Sequence, residues 1–161
     1  MQEISDYLNK ANKLIRTADH LTYVTYPLIK DNKLIITITE NLADAMTNAI
    51  NALLHYDKYY KRITYLPEDF RSRLEIFKLN CAPRYNISTI YLTLIRDLKD
   101  LQEARKKASM EFIRKDEYVI TEKNFNIKTL TYQKAKDYVN LSKAFFDKVN
   151  FILKNVQTKR S

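Results

Sequence analysis

Glycine is absent from this 161-residue chain. Nucleotide-binding enzymes use it where a backbone loop cradles phosphate, so Walker-type and dinucleotide-binding functions are excluded, and the tight turns of most strand-rich folds are disfavoured. Cysteine occurs once, at Cys81. An internal disulfide and a cysteine-based zinc cluster are thereby ruled out, and Cys81 reads as a small buried hydrophobe. Long apolar runs are also missing, and the first residues, MQEISDYLNK, show no basic flank followed by an apolar block. No membrane partner is expected, and the expected location is cytoplasmic.

What is present describes a folded helical domain. Apolar residues make up 45% and charged residues 29% of the chain, a balance that fits neither a disordered nor a membrane protein. One domain is expected over residues 1–156, followed by a polar tail at 157–161. The net charge of +9 favours polyanionic partners such as nucleic acid. A compositional bias toward lysine explains the same charge equally well.

Residues 86–116 dominate the pattern. Ile87, Leu94, Leu101 and Ala108 recur every seven residues, as do Tyr91, Leu98, Arg105 and Phe112, so the spacing predicts one long helix, roughly 45 Å, capped by Asn86. A first helix is expected over 4–26, closed by Pro27. A second runs through KLIITIT to Tyr60: its β-branched start favours strand locally, but the three and four residue spacing from Ile35 to Tyr56 is too long for one. Thr37, Asn41, Asp44, Asn48, Asn51 and His55 form a nearly uncharged polar face on it, expected to be partly covered by another helix or a second subunit. A shorter helix starts at Pro67 and ends at Pro83, with Phe70, Leu74, Phe77 and Cys81 inward. A β-hairpin is predicted from 118–121 and 125–129. Thr131 then caps a last helix that turns Ala135, Tyr138, Val139, Ser142, Phe145, Phe146, Val149, Ile152 and Val156 inward. The expected architecture is an all-α antiparallel bundle of about five helices with that small hairpin.

Few residues carry chemistry. His20 beside Asp19 and His55 near Asp57 resemble acid/base pairs on paper, but sequence neighbours on a helix do not face each other. No metal site or cofactor is assigned. Arg105 interrupts an apolar seam, which is costly unless it reaches a carboxylate or solvent. It is either bonded to an acidic residue of another helix, or it joins Lys106, Lys107, Arg114 and Lys115 in a cationic, phosphate-binding helix end. Lys58, Tyr59, Tyr60, Lys61 and Arg62, with Tyr65, combine cations and rings as single-stranded nucleic acid sites do. Such tyrosines equally close the end of a core.

The succession ADHLTYVTYPLIKDNKLIITITENLADAMTNAINALLHYDKYYKR, the 86–116 stretch, SMEFIRKDEYVI and the terminal helix resembles archaeal proteins with a HEPN-like helical bundle. That resemblance implies an up-and-down bundle, commonly dimeric, with nuclease activity in many members and scaffolding or nucleotide-associated roles in others. The group's nuclease motif is an Arg followed, four to six residues on, by a His. The nearest match here, Arg16 to His20, has only three intervening residues, so the catalytic assignment is not carried over. The leading expectation is a non-enzymatic, homodimeric bundle that binds RNA or joins a nucleic-acid complex. The alternatives are a divergent, metal-independent ribonuclease using Arg16 and His20, and a structural or regulatory module that binds a protein partner.

Overall fold

The computed structural model describes residues 1–124 and 126–158. Phe125 as a strand residue, the inward side chain of Val156 and the tail at 159–161 lie outside the described residues. Seven helical segments run in chain order: α1 (Gln2–His20), α2 (Tyr26–Ile29), α3 (Lys33–Tyr59), α4 (Phe70–Ile76), α5 (Ala82–Arg84), α6 (Thr89–Lys106) and α7 (Tyr132–Thr158). Strands β1 (Ala108–Arg114), β2 (Glu117–Glu122) and β3 (Ile127–Thr131) stand between α6 and α7. They form an antiparallel sheet in the order β1-β2-β3.

The organising element is α3 rather than the 86–116 stretch. Ile35, Ile36, Ile38, Leu42, Ala43, Ala45, Met46, Ala49, Ile50, Ala52, Leu53 and Leu54 are all buried, so α3 is covered over most of its circumference, as a central helix must be. It packs on α1, α6 and α7. The alanines allow close approach, with Ala11 and Ala18 of α1 also fully buried, and α1 is its most extensive neighbour. KLIITIT is helical as the longer period requires. The polar face of α3 is partly covered, as expected, from within the chain: Asn51 accepts from Arg73 (2.9 Å) and Asp44 from Gln102 (2.9 Å).

The single helix predicted for 86–116 is not formed. Helix α6 ends at Lys106, about 27 Å long by its 18 residues, and the chain turns into β1. Within α6 the two apolar rows therefore end at Leu101 and Arg105, with Leu94, Leu98 and Leu101 buried, and Ala108 and Phe112 fall in β1. There β1 gains a ladder with β2, whose Tyr118, Val119 and Ile120 favour strand. The expected hairpin is thus three strands, with β1 added and β3 lying at 127–131. Asn86 does not cap α6. It sits at φ 54°, ending the preceding helix through Ile87 N–H to the Ala82 carbonyl (2.9 Å), while Ser88 caps α6 by accepting from the Ile90 N–H (3.3 Å). Without glycine, the left-handed positions fall on Lys30, Lys61, Asn86 and Lys115.

Pro27 and Pro83 do not close their helices. Each follows a π turn, Leu21–Thr25 and Phe77–Cys81, and helix resumes around it. In the π register the Tyr26 N–H bonds to the Leu21 carbonyl, so the Thr22 carbonyl would need the N–H that Pro27 lacks. The Tyr132 hydroxyl supplies the donor instead, at 2.5 Å, and the Tyr132 ring stacks on Tyr26 at 3.9 Å. Helix α4 begins at Phe70, not Pro67, with Asp69 accepting from the Ser72 N–H (2.9 Å). Thr131 caps α7 as expected, accepting from the Lys134 N–H at 3.1 Å.

Candidate functional site

Helices α1 and α7 lie side by side but leave an open groove of about 620 Å³ between them. Ser5, Asn9, Asn12, Arg16 and Asp19 come up from α1 at spacings of four, three, four and three, which keeps them in one row. Lys143, Asp147, Asn150 and Lys154 form the facing row on α7, and Ile15 and Phe146 make the floor. One cross-strut closes an end, where Lys143 Nζ donates to Asp19 at 3.0 Å.

A second depression of about 400 Å³ shares Asn9, Asn12 and Arg16 and adds Lys13, Thr17 and His20. Arg16 and His20, one turn apart, thus line a common surface, and His20 Nδ1 lies 3.4 Å from the Thr25 hydroxyl. Among the described residues Arg16 makes no hydrogen bond or ion pair with protein and is exposed. Across both depressions four cations (Lys13, Arg16, Lys143, Lys154) face two carboxylates, Asp19 and Asp147. Asp19 is already neutralised by Lys143. Such a groove offers a free guanidinium for bidentate anion contact and amides that both donate and accept.

The cationic surfaces expected from sequence are arranged differently. Arg62 is held from three sides: it donates to Asp57 (3.3 Å) and Tyr85 (3.0 Å), and its guanidinium lies over the Tyr56 and Tyr60 rings. Tyr60 is half-buried, meeting the Tyr59 ring edge-on at 5.0 Å. Lys58, Tyr59 and Lys61 remain exposed, Lys61 at the left-handed residue that ends α3. Arg105 donates to Glu40 of α3 (3.3 Å) and Glu111 of β1 (3.1 Å), which is the structural outcome of the two expected for it. Lys106 and Lys107 border a depression with Lys123 at the end of α6. Arg114 pairs with Glu117 at 3.4 Å, and Lys115 occupies the β1–β2 turn. Because β1 is extended, Lys107 and Lys115 stand roughly 25 Å apart. They cannot act as one helix end. Arg105 is not among the residues lining the depression that Arg16 and His20 share.

The most concentrated polar cluster was not indicated by sequence. Asp57, fully buried, accepts from Arg62, Arg84, the Tyr85 hydroxyl and the Cys81 thiol (3.2 Å). Burial, aided by Asp57, pushes the Cys81 thiol well above its usual range, and does the same to the Tyr85 hydroxyl. A thiol so held is no nucleophile. The cluster ties the end of α3 to α5 and the loop between them. His55 faces away from it, toward Glu3 (3.3 Å) and the Tyr7 ring. Burial lowers the His55 imidazole below its ordinary value in spite of Glu3, whose carboxylate is well exposed to water. Among the described residues no three His, Cys, Asp or Glu side chains come together as metal ligands, and no helix is long and apolar enough to cross a membrane.

No protein-family model matches this chain, and neither the curated proteins nor the solved structures contain a match to it.

Proposed function

We propose that the chain is a non-enzymatic RNA-binding bundle, and that the α1/α7 groove is where a single-stranded backbone lies. The observation that carries this is Arg16, a guanidinium without a protein partner among the described residues, standing where two depressions meet. Lys13 and Lys154 extend its positive field along the groove, and Asn9, Asn12 and Asn150 present amides suited to base edges and 2′-hydroxyls. Phosphate contacts supply affinity here and the amides supply modest preference. The groove has no exposed aromatic platform among its lining residues, so the selectivity expected is for strand flexibility rather than for stacking.

Fluorescence anisotropy with a labelled single-stranded RNA tests the proposal. Binding is expected to weaken steeply between about 50 and 200 mM salt, as counterion release requires. Arg16→Ala is expected to weaken it roughly tenfold, about 1.4 kcal/mol, with unchanged circular dichroism, whereas Arg105→Ala leaves it intact. Absence of binding at low salt refutes the proposal.

A ribonuclease reading is favoured by one observation, that Arg16 and His20 border the same depression. His20 would move the proton and Arg16 would stabilise the phosphate. Cleavage that survives His20→Ala at the wild-type rate eliminates this second reading.

A further inference from the structure

Asp147 is out of keeping with a groove that holds only phosphates. The register of the two helices is fixed at one end, where Tyr23, in the π turn after α1, donates to Asn140 (3.1 Å) and Lys143 donates to Asp19 (3.0 Å). The helices run antiparallel, so each step of three or four residues back along α1 matches a similar step forward along α7. The next rung therefore sets Arg16 opposite Asp147, and the one after it sets Asn12 opposite Asn150, all four lining the groove. The rung of Lys143 and Asp19 is closed by an ion pair. That of Arg16 and Asp147 is open: among the described residues neither side chain makes a hydrogen bond or ion pair.

An ionised carboxylate accepts hydrogen bonds and donates none, so it repels a phosphate and takes only donors. The peptide groups of both helices are spent on their own ladders, which leaves side chains to read a ligand. Along α7, Asp147 offers two acceptor oxygens, and Asn150, half-buried and nearly one turn on, offers an amide that can donate. Among the RNA bases, guanine alone sets two adjacent donors beside an acceptor on its Watson–Crick edge: N1–H and N2–H next to O6. Adenine and cytosine place a single amino group there, and uracil a single N–H. Unstacked bases of single strands expose this edge to protein.

We propose that the α1/α7 groove prefers guanine, with Asp147 accepting from N1–H and N2–H and Asn150 donating to O6, while Arg16 across the groove holds a neighbouring phosphate. This preference presupposes that single-stranded RNA lies in the groove, and it names the base read there. Phosphate contacts place the strand and the carboxylate specifies it.

Anisotropy at low salt with labelled uridine-rich oligomers, each carrying one central guanine, inosine or adenine, tests the preference. Guanine is expected to bind roughly tenfold tighter than adenine, the discrimination of one bidentate pair. Inosine, which lacks the N2 amine, is expected to fall between them, and 7-deazaguanine, which keeps the same edge, to match guanine. Asp147→Asn changes an exposed position without changing its size, and removes a negative charge from the groove. It is expected to raise affinity for the adenine oligomer a few-fold while abolishing the guanine advantage, opposite effects that a damaged fold does not produce. Equal binding of the guanine and adenine oligomers overturns the proposal and leaves RNA binding standing. So does a guanine advantage that survives Asp147→Asn or disappears with 7-deazaguanine. Failure of every oligomer to bind overturns both the preference and the RNA-binding function.

Discussion

Replacing Asp57 by asparagine removes one charge and almost no volume from a fully buried position. Four donors lose their anion at once: the Arg62 and Arg84 guanidiniums, the Tyr85 hydroxyl and the Cys81 thiol. Removing one partner of a buried ion pair typically costs about 3–5 kcal/mol, because the remaining charge is left uncompensated. Here both arginine side chains keep some contact with water, 29% and 33% exposed, so part of their solvation is recovered. The expected cost is therefore about 2–4 kcal/mol. For a domain of this length each kcal/mol lowers Tm by about 2–4 °C, so a fall of roughly 5–15 °C is expected. Urea unfolding followed by circular dichroism measures it, and an unchanged slope with denaturant would show that the native and unfolded states keep their compactness. A loss below about 1 kcal/mol would refute the reasoning, since it would mean that water, not Asp57, satisfies the cations.

His55 has its imidazole pKa lowered in the fold by burial, so the unfolded chain binds the proton first. Stability is expected to be complete above the unfolded value of about 6.5 and to fall as pH drops below it, with His55→Gln flattening the urea midpoint between about pH 7.5 and 5.5. Tyr132→Phe leaves the Thr22 carbonyl at the first π turn without its donor and is expected to cost about 1–2 kcal/mol in the same assay. Lys30→Gly relieves a left-handed residue at φ 54° and is expected to stabilise by about 0.5–1 kcal/mol, appearing as a raised Tm. Arg105→Met breaks exposed ion pairs with Glu40 and Glu111 and is expected to cost no more than about 1 kcal/mol, with the helical signal intact.

Helical periodicity was legible wherever a pattern and its partner helices ended together. Residues 33–59 read as helix despite ITIT because the apolar positions continue for the whole length of α3, and α1, α6 and α7 are there to receive them. The same rule failed at residues 108–114, where the heptad rows continue in sequence but no helix is present for Ala108 and Phe112 to meet. Nothing local announces that loss. It is set by strand pairing with residues 117–122, which lie beyond the helix window. The π turns were hidden for a related reason: Pro27 removes a donor in any helix, and only Tyr132, 110 residues away, makes it possible to leave the Thr22 carbonyl outside the ladder and continue.

The candidate site was half legible. Arg16 and His20 could be placed on one outward face from spacing alone, and they do line one surface, but that α7 flanks Arg16 with Lys143, Asn150 and Lys154 required the tertiary pairing of the first and last long helices. Cation-rich stretches misled because proximity in sequence says nothing about carboxylates elsewhere: Arg62 belongs to Asp57, Arg105 to Glu40 and Glu111. A charge already compensated within the protein has little field left for a ligand. It follows that binding capacity in this chain should be sought by subtracting internal pairs from the +9 total rather than by counting lysines. Among the described residues that subtraction leaves Arg16 and Arg96 as exposed guanidiniums without a protein partner, and of the two Arg16 lines the α1/α7 groove, which makes it the one around which to test nucleic acid binding.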